Sequence, residues 1–171
     1  MNKERLLNYV APCALVCYTC MGCKEGAVAE CAKKLYAYNE GVCEFRGLHM
    51  AEEEREKWET FFHEFHETLR NMSVAYCPGC RKFFENDYGH GYGCLGDCMI
   101  PACVKERGVD FCAECSAFPC DKARNMFAGH DNKIGAVWEE GSKRLREIGL
   151  EAYFAEKKDI SHYLHYKEKT K

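Results

Sequence analysis

Three cysteines crowd into FCAECSAFPC, residues 111–120: Cys112 and Cys115 form a C-x2-C pair, and Cys120 follows Pro119. A second C-x2-C pair, Cys77-Pro78-Gly79-Cys80, stands upstream. Tetrahedral zinc holds sulfur at about 2.3 Å, so its sulfurs lie roughly 3.8 Å apart, a span that a C-x2-C turn supplies. In the upstream pair, Pro78 fixes φ and Gly79 permits the tight return. Two such pairs are the makings of a four-thiolate site. The expectation is that Cys77, Cys80, Cys112 and Cys115 share one metal across a spacer of 31 residues. The same knuckles could hold a single iron. Pro119 predicts a helix start, and a thiol in that first turn faces the positive end of the helix dipole. The thiolate favoured there suits a metal or a nucleophilic reaction. With no histidine partner legible beside it, Cys120 reads as a ligand.

The run Cys13-x3-Cys17-x2-Cys20-x2-Cys23 is the second dense site. Its C-x3-C-x2-C spacing is also the one by which radical S-adenosylmethionine enzymes hold an iron–sulfur cluster. Those enzymes need a barrel of βα units behind the motif, and only helical patterns follow here. Zinc or a simple cluster stays open. Cys31, on an apparent apolar stripe, and Cys43 read as small core hydrophobes. His63 with His66, and His162 with His165, are i, i+3 pairs that could chelate but read as solvated or core histidines. A zinc ion with four thiolates carries a formal charge of about −2 and prefers cations nearby. Arg81, Lys82, Lys105, Arg107 and Lys122 all lie close to a cysteine in sequence, although each alone reads as an ordinary solvated charge.

The chain holds 14 cysteines in 171 residues, and none lies beyond Cys120. A chain of this length buries a real core, so thiols are not needed merely to rescue a tiny fold. The N-terminal apolar run contains Pro12, Cys13 and Cys17 and is preceded by Glu4, which does not fit a secretory signal. The expectation is a cytoplasmic protein with reduced thiols, for which metal binding is favoured over disulfides. A net charge of −3 offers no general attraction to nucleic acid or anionic lipid. No apolar run approaches membrane-spanning length.

Periodicity predicts the elements that position these residues. Residues 26–39 read as a helix with Val28, Cys31, Ala32 and Leu35 inward, ended by Gly41. Residues 51–72 carry the clearest apolar face, formed by Trp58, Phe61, Phe62, Phe65, Leu69 and Met72, with three glutamates in the first turn. Pro101 opens a short helix that Gly108 closes. Residues 134–149 are helical with Trp138 and Leu145 inward, and 150–158 begin another helix with Tyr153 and Phe154 inward. Helix 51–72 is expected to pack on 134–149, because little else covers either face. Residues 87–96, containing YGHGYG, read as a glycine-rich loop. The fold class is mainly α, with irregular metal-stapled loops and knuckles between helices and little or no sheet. Residues 1–130 read as a cysteine-rich metal-binding domain including helix 51–72, and residues 131–171 as a C-terminal helical segment packing on it.

APCALVCYTC, CPGC, CMIPACVKERGVDFCAECSAFPCDKA and RLREIGLEAYF together resemble the cysteine-rich prokaryotic family called domain of unknown function 3795. The resemblance carries over to Cys13, Cys17, Cys20, Cys77, Cys80, Cys94, Cys98, Cys103, Cys112, Cys115 and Cys120, and leaves out Cys23, Cys31 and Cys43. Ala14 stands where the family usually has glycine. Cys94 and Cys98 are separated by three residues where two is common. Longer members end with a further cysteine pair, where this chain reads ISHYLHYKEK; only His162 and His165 could replace it. The resemblance implies metal binding and imports no reaction. The expectation is a zinc-stapled binding or adaptor module; its partner is left unknown, with another protein as one option. An iron or iron–sulfur redox protein or sensor is the alternative, and an enzyme with one activated cysteine a third class.

Overall fold

The computed structural model describes residues 1–85, 98–128, 132–164 and 167. Among them the chain is mainly helical, with eight α-helices and no strand. The helices are α1 (Lys3–Tyr9), α2 (Ala27–Tyr38), α3 (Val42–Gly47), α4 (Glu52–Ser73), α5 (Cys80–Glu85), α6 (Ile100–Arg107), α7 (Asp121–Ala128) and α8 (Asn132–Lys157). Two 3-10 turns, Cys17–Thr19 and Cys112–Glu114, sit at the cysteine knuckles. The glycine-rich loop 87–96 and Cys94 fall outside the described residues.

Local chemistry sets most of these boundaries. The Asn2 side chain caps α1 by accepting from Arg5 N at 3.0 Å. Pro101 lies in the first turn of α6, and Gly108 ends it in the left-handed region at φ 66°. Gly149 breaks α8 at φ 76°, ψ 167°, so the second half turns back and buries Tyr153 and Phe154.

The long aromatic helix finds a different partner from the one its sequence suggests. α4 packs along α2 and on α3, not on the first half of α8. α8 packs instead on α7, α1 and the Cys112–Glu114 turn. The reason lies in α2, where the buried residues are Ala29 and Ala32 rather than Cys31 and Leu35. Small side chains let α2 approach α4 closely, and Cys31 and Leu35 rotate into solvent, which overturns the core placement of Cys31. On α4, Phe62 and Leu69 are buried, whereas Phe61 is 57% exposed. His66 stacks on Tyr36 with ring centroids 4.1 Å apart and meets the Tyr36 carbonyl at 3.2 Å, which ties α4 to α2.

The rest of the molecule closes around two adjoining cores. One gathers Leu6, Tyr9, Val10, Ala14, Val16, Phe111, Leu145, Tyr153 and Phe154. The other sets Ile100, Val104, Phe118, Phe127 and Trp138 among cysteines.

These environments separate two neighbouring rings. Phe62→Ala should cost about 3 kcal/mol, because it empties a buried site between α4 and α2. Phe61→Ala should cost under about 1 kcal/mol. Chemical denaturation of both variants checks this; equal losses would place Phe61 in the core.

Candidate functional site

The N-terminal knuckle is built on a tight backbone frame. Val10 and Val16 form an antiparallel bridge, and Ala11 N donates to Leu15 O at 2.8 Å. Between them Ala14 sits at φ 63°, a region costly for any residue with a Cβ. The Tyr153 hydroxyl donates to Ala14 O at 2.8 Å and pins the frame to the second half of α8. The frame also reaches the other knuckle, because Cys112 N donates to Pro12 O at 2.8 Å. The Cys77–Cys80 turn is docked from below: Gly79 adopts φ 93°, and a Cβ there would meet Asn8 O at 3.0 Å. Cys77 pairs its backbone with Cys23 in a parallel bridge, with Cys77 N donating to Gly22 O and Lys24 N to Cys77 O, both at 2.9 Å.

This scaffold parts the thiols into two groups, and not as the C-x2-C pairing suggests. In the first, the Cys17 thiol hydrogen-bonds Cys80, the charges of Cys20 and Cys77 are felt at Cys23, and that of Cys80 at Cys98. Cys13 completes the group beside Arg81. In the second group, Cys112 feels Cys120, Cys103 and Cys115. Cys77 and Cys80 therefore face the N-terminal knuckle, while Cys112 and Cys115 face α6 and the start of α7. The arrangement follows from chain path: α1 and the Cys23–Cys77 bridge hold the CPGC turn at the N-terminus. Cys23, outside the shared cysteine pattern, is buried within the first group. Its C-x2-C spacing from Cys20 was the available signal.

The second group surrounds a cavity of about 20 Å³, lined by Cys103, Cys112, Cys115 and Cys120 among Ile100, Val104, Phe118 and other apolar residues. Arg107 is the one cationic residue among the described residues on its wall, and the lining surface is wholly apolar. Beside Cys112 lies the indole of Trp138, almost wholly buried, whose N–H has no hydrogen-bond partner of normal geometry. A neutral thiol is a weak acceptor, whereas a thiolate there would satisfy that orphaned donor.

Burial opposes thiolates in both groups. It pushes Cys112 up to about 11, with the neighbouring thiolates adding to the rise and Trp138 opposing it. Burial likewise takes Cys23 to about 11 and Cys98 to about 11. Cys80 moves the other way: the Cys17 hydrogen bond holds it below the ordinary thiol value, Arg81 helps and burial opposes. Arg81 is itself clamped, donating to Val10 O at 3.2 Å and to Asp110 O and lying 4.8 Å over the Phe111 ring. This places one fixed positive charge against the first group.

None of the thirteen described cysteines forms a disulfide. As the side chains stand, no three histidine, cysteine or carboxylate groups among the described residues are set to hold one metal ion. The donor set nonetheless fits a soft cation in kind. His63, His66 and His162 lie outside the cavity wall, and His162 Nδ1 is engaged with Val16 O at 2.9 Å. His165 is outside the described residues. Cys43 is half-buried, its carbonyl accepting from the Trp58 indole at 3.3 Å.

A helical protein with one core built partly from thiols is the class that the fold and site define. The chain belongs to the family described as protein of unknown function DUF3795, whose model matches residues 9–125. The match covers every described thiol of both groups and ends within α7, before the RLREIGLEAYF segment. No curated protein and no solved structure matches the chain.

The raised thiols make a signed prediction for reduced, metal-free protein. The folded state holds its protons on Cys23, Cys98 and Cys112 up to about 11. The unfolded chain releases them near pH ~8.5. Stability from these groups is therefore fully present below pH ~8.5 and is lost as pH rises towards 11. Melting temperature measured across that window should fall; a flat profile would mean that the thiols are not buried as described.

Proposed function

We propose that this protein is a metal-stapled binding module in which thiolates, with zinc as the expected ion, lock the irregular segments between its helices. One observation carries the reading: four thiols from α6, the Cys112–Glu114 turn and the start of α7 line one cavity beside the orphaned Trp138 N–H. A divalent cation there would reverse the cost of burying thiolates and give the indole an acceptor. Cys103, Cys112, Cys115 and Cys120 would be its ligands, and the Arg107 guanidinium would offset the remaining negative charge. The supply of free thiols supports a reducing compartment such as the cytoplasm. No described helix is long and apolar enough to cross a membrane.

The first group, Cys13, Cys17, Cys20, Cys23, Cys77, Cys80 and Cys98, is rich enough for a second ion. The α2–α4 hairpin supports the binding half of the reading. It exposes Tyr38, Phe45, Leu48 and Phe61, apolar surface of the kind that protein partners cover.

Metal analysis of untagged protein purified without chelator should return one to two equivalents of zinc. Well below one equivalent would sink the reading, and iron with visible absorption would replace zinc by the iron–sulfur alternative. Cys115→Ser should release one equivalent. The staple closes the 18-residue stretch from Cys103 to Cys120. Losing a closure of that size should lower the melting temperature by about 10 °C. Cys31→Ser, on an exposed face of α2, should leave metal and melting temperature unchanged.

A further inference from the structure

The two thiol groups differ in what covers them. The first is overlain by a segment from the far end of the chain. After α8 the backbone turns at Ile160, whose N–H donates to Lys157 O at 3.0 Å, and residues 160–163 run back along the Cys17–Thr19 turn. The segment is held there by polar anchors. Thr19 Oγ1 donates to Ile160 O at 2.7 Å, and His162 Nδ1 donates to Val16 O at 2.9 Å. The Tyr163 hydroxyl accepts from Met21 N at 3.3 Å and lies 3.2 Å from Cys20 Sγ.

The phenol oxygen accepts from the Met21 N–H and shares a second hydrogen bond with the sulfur, in which either atom can donate. Gly22 N donates to the same Sγ at 3.4 Å. The Cys20 sulfur thus meets two polar groups, the Gly22 N–H and the Tyr163 hydroxyl. The contact joins residues 143 apart in sequence, so local chain geometry does not dictate it. Ile160, Tyr163 and Leu164 are all exposed, so the segment buries little apolar surface. A segment held mainly by surface hydrogen bonds opens at low free-energy cost, unlike the enclosed second group.

We propose that residues 160–163 form a strap closing the N-terminal thiol group, with Tyr163 as the positioning residue whose phenol holds Cys20 as a metal ligand and shields it from solvent. The strap is the route by which a soft divalent cation enters and leaves this group, while the Cys103–Cys120 cavity stays shut. The identity of the ion rests on the thiolate–metal reading; the cover over Cys20 does not.

The test is pulse alkylation of reduced full-length protein with N-ethylmaleimide, read cysteine by cysteine by peptide mass spectrometry, in wild type, Tyr163→Phe and Thr19→Val. Tyr163→Phe keeps the ring and removes only the hydroxyl; Thr19→Val removes the anchor to Ile160 while keeping the shape. In both, Cys20 should be labelled roughly fivefold faster, the scale of one net hydrogen bond. Exposed Cys31 and cavity-lining Cys112 should keep their wild-type rates. In metal-loaded protein, transfer of one equivalent to a chelator should quicken by the same factor. Wild-type labelling of Cys20 in both variants would overturn the strap. So would equal acceleration at Cys20 and Cys112, because the segment would then be part of the fold rather than a cover. Cys20 alone accelerating in protein that carries no metal would uphold the strap and refute the metal reading.

Discussion

The middle of this molecule buries thiols, and a buried thiol becomes a thiolate only where a cation stands beside it. Nine cysteines pack in or against the same core as Trp138 and Phe127. Thiols are small and offer less apolar surface than leucine or phenylalanine, so they fill a core without holding it strongly. The segments that carry them are short turns, isolated bridges and one- to two-turn helices, in which few backbone hydrogen bonds repeat. Their cohesion must come from elsewhere. Arg81 supplies one fixed positive charge to the N-terminal group. At the second group the only cationic residue among the described residues lining the cavity is Arg107, which is exposed. A metal ion would serve both as the missing charge and as the cross-link.

That constraint orders the rest of the architecture. The regular helices stand outside the thiol region and brace it: α8 from one side through Trp138, Leu145 and Tyr153, and α1 from another through Tyr9 and the docked Gly79 turn. The α2–α4 hairpin stands apart, packed mainly on itself with α3. The chain thus separates a cysteine-rich centre from a helical arm with exposed aromatic residues. The proposed function uses this division, with the metal in the centre and the recognition surface on the arm. Phe61 and Phe65 stack with centroids 6.2 Å apart on the outer side of that arm.

How much was legible in the sequence depended on the range of the interaction. The existence of α4, α6 and both halves of α8 follows from periodicity, proline and glycine, all local signals. The inward roles of Trp138, Tyr153 and Phe154 follow from the same pattern. The partner of α4 did not, because an apolar face records that it is covered, not by what. The phase of α2 was misread because Ala29 and Ala32 carry a weak hydrophobic signal yet are what close helix packing selects. The C-x2-C turns were legible one by one, but their partition was not. It depends on the Cys23–Cys77 bridge and the Cys112–Pro12 hydrogen bond, which join distant segments through backbone atoms that any residue carries. The spacing of Cys23 from Cys20 is legible, whereas its place beside Cys77 rests on that bridge, and Tyr163 had no sequence signal at all.

The central claim is that Cys103, Cys112, Cys115 and Cys120 converge as thiolates on one ion. X-ray absorption at the zinc edge on the native protein, with Cys13, Cys17 and Cys20 replaced together by serine to simplify the first group, tests it most directly. The account predicts a retained zinc whose first shell fits four sulfurs at about 2.3 Å with no nitrogen or oxygen scatterer. A retained zinc with mixed sulfur and nitrogen or oxygen ligands, or a protein that binds no zinc at that cavity, would contradict it.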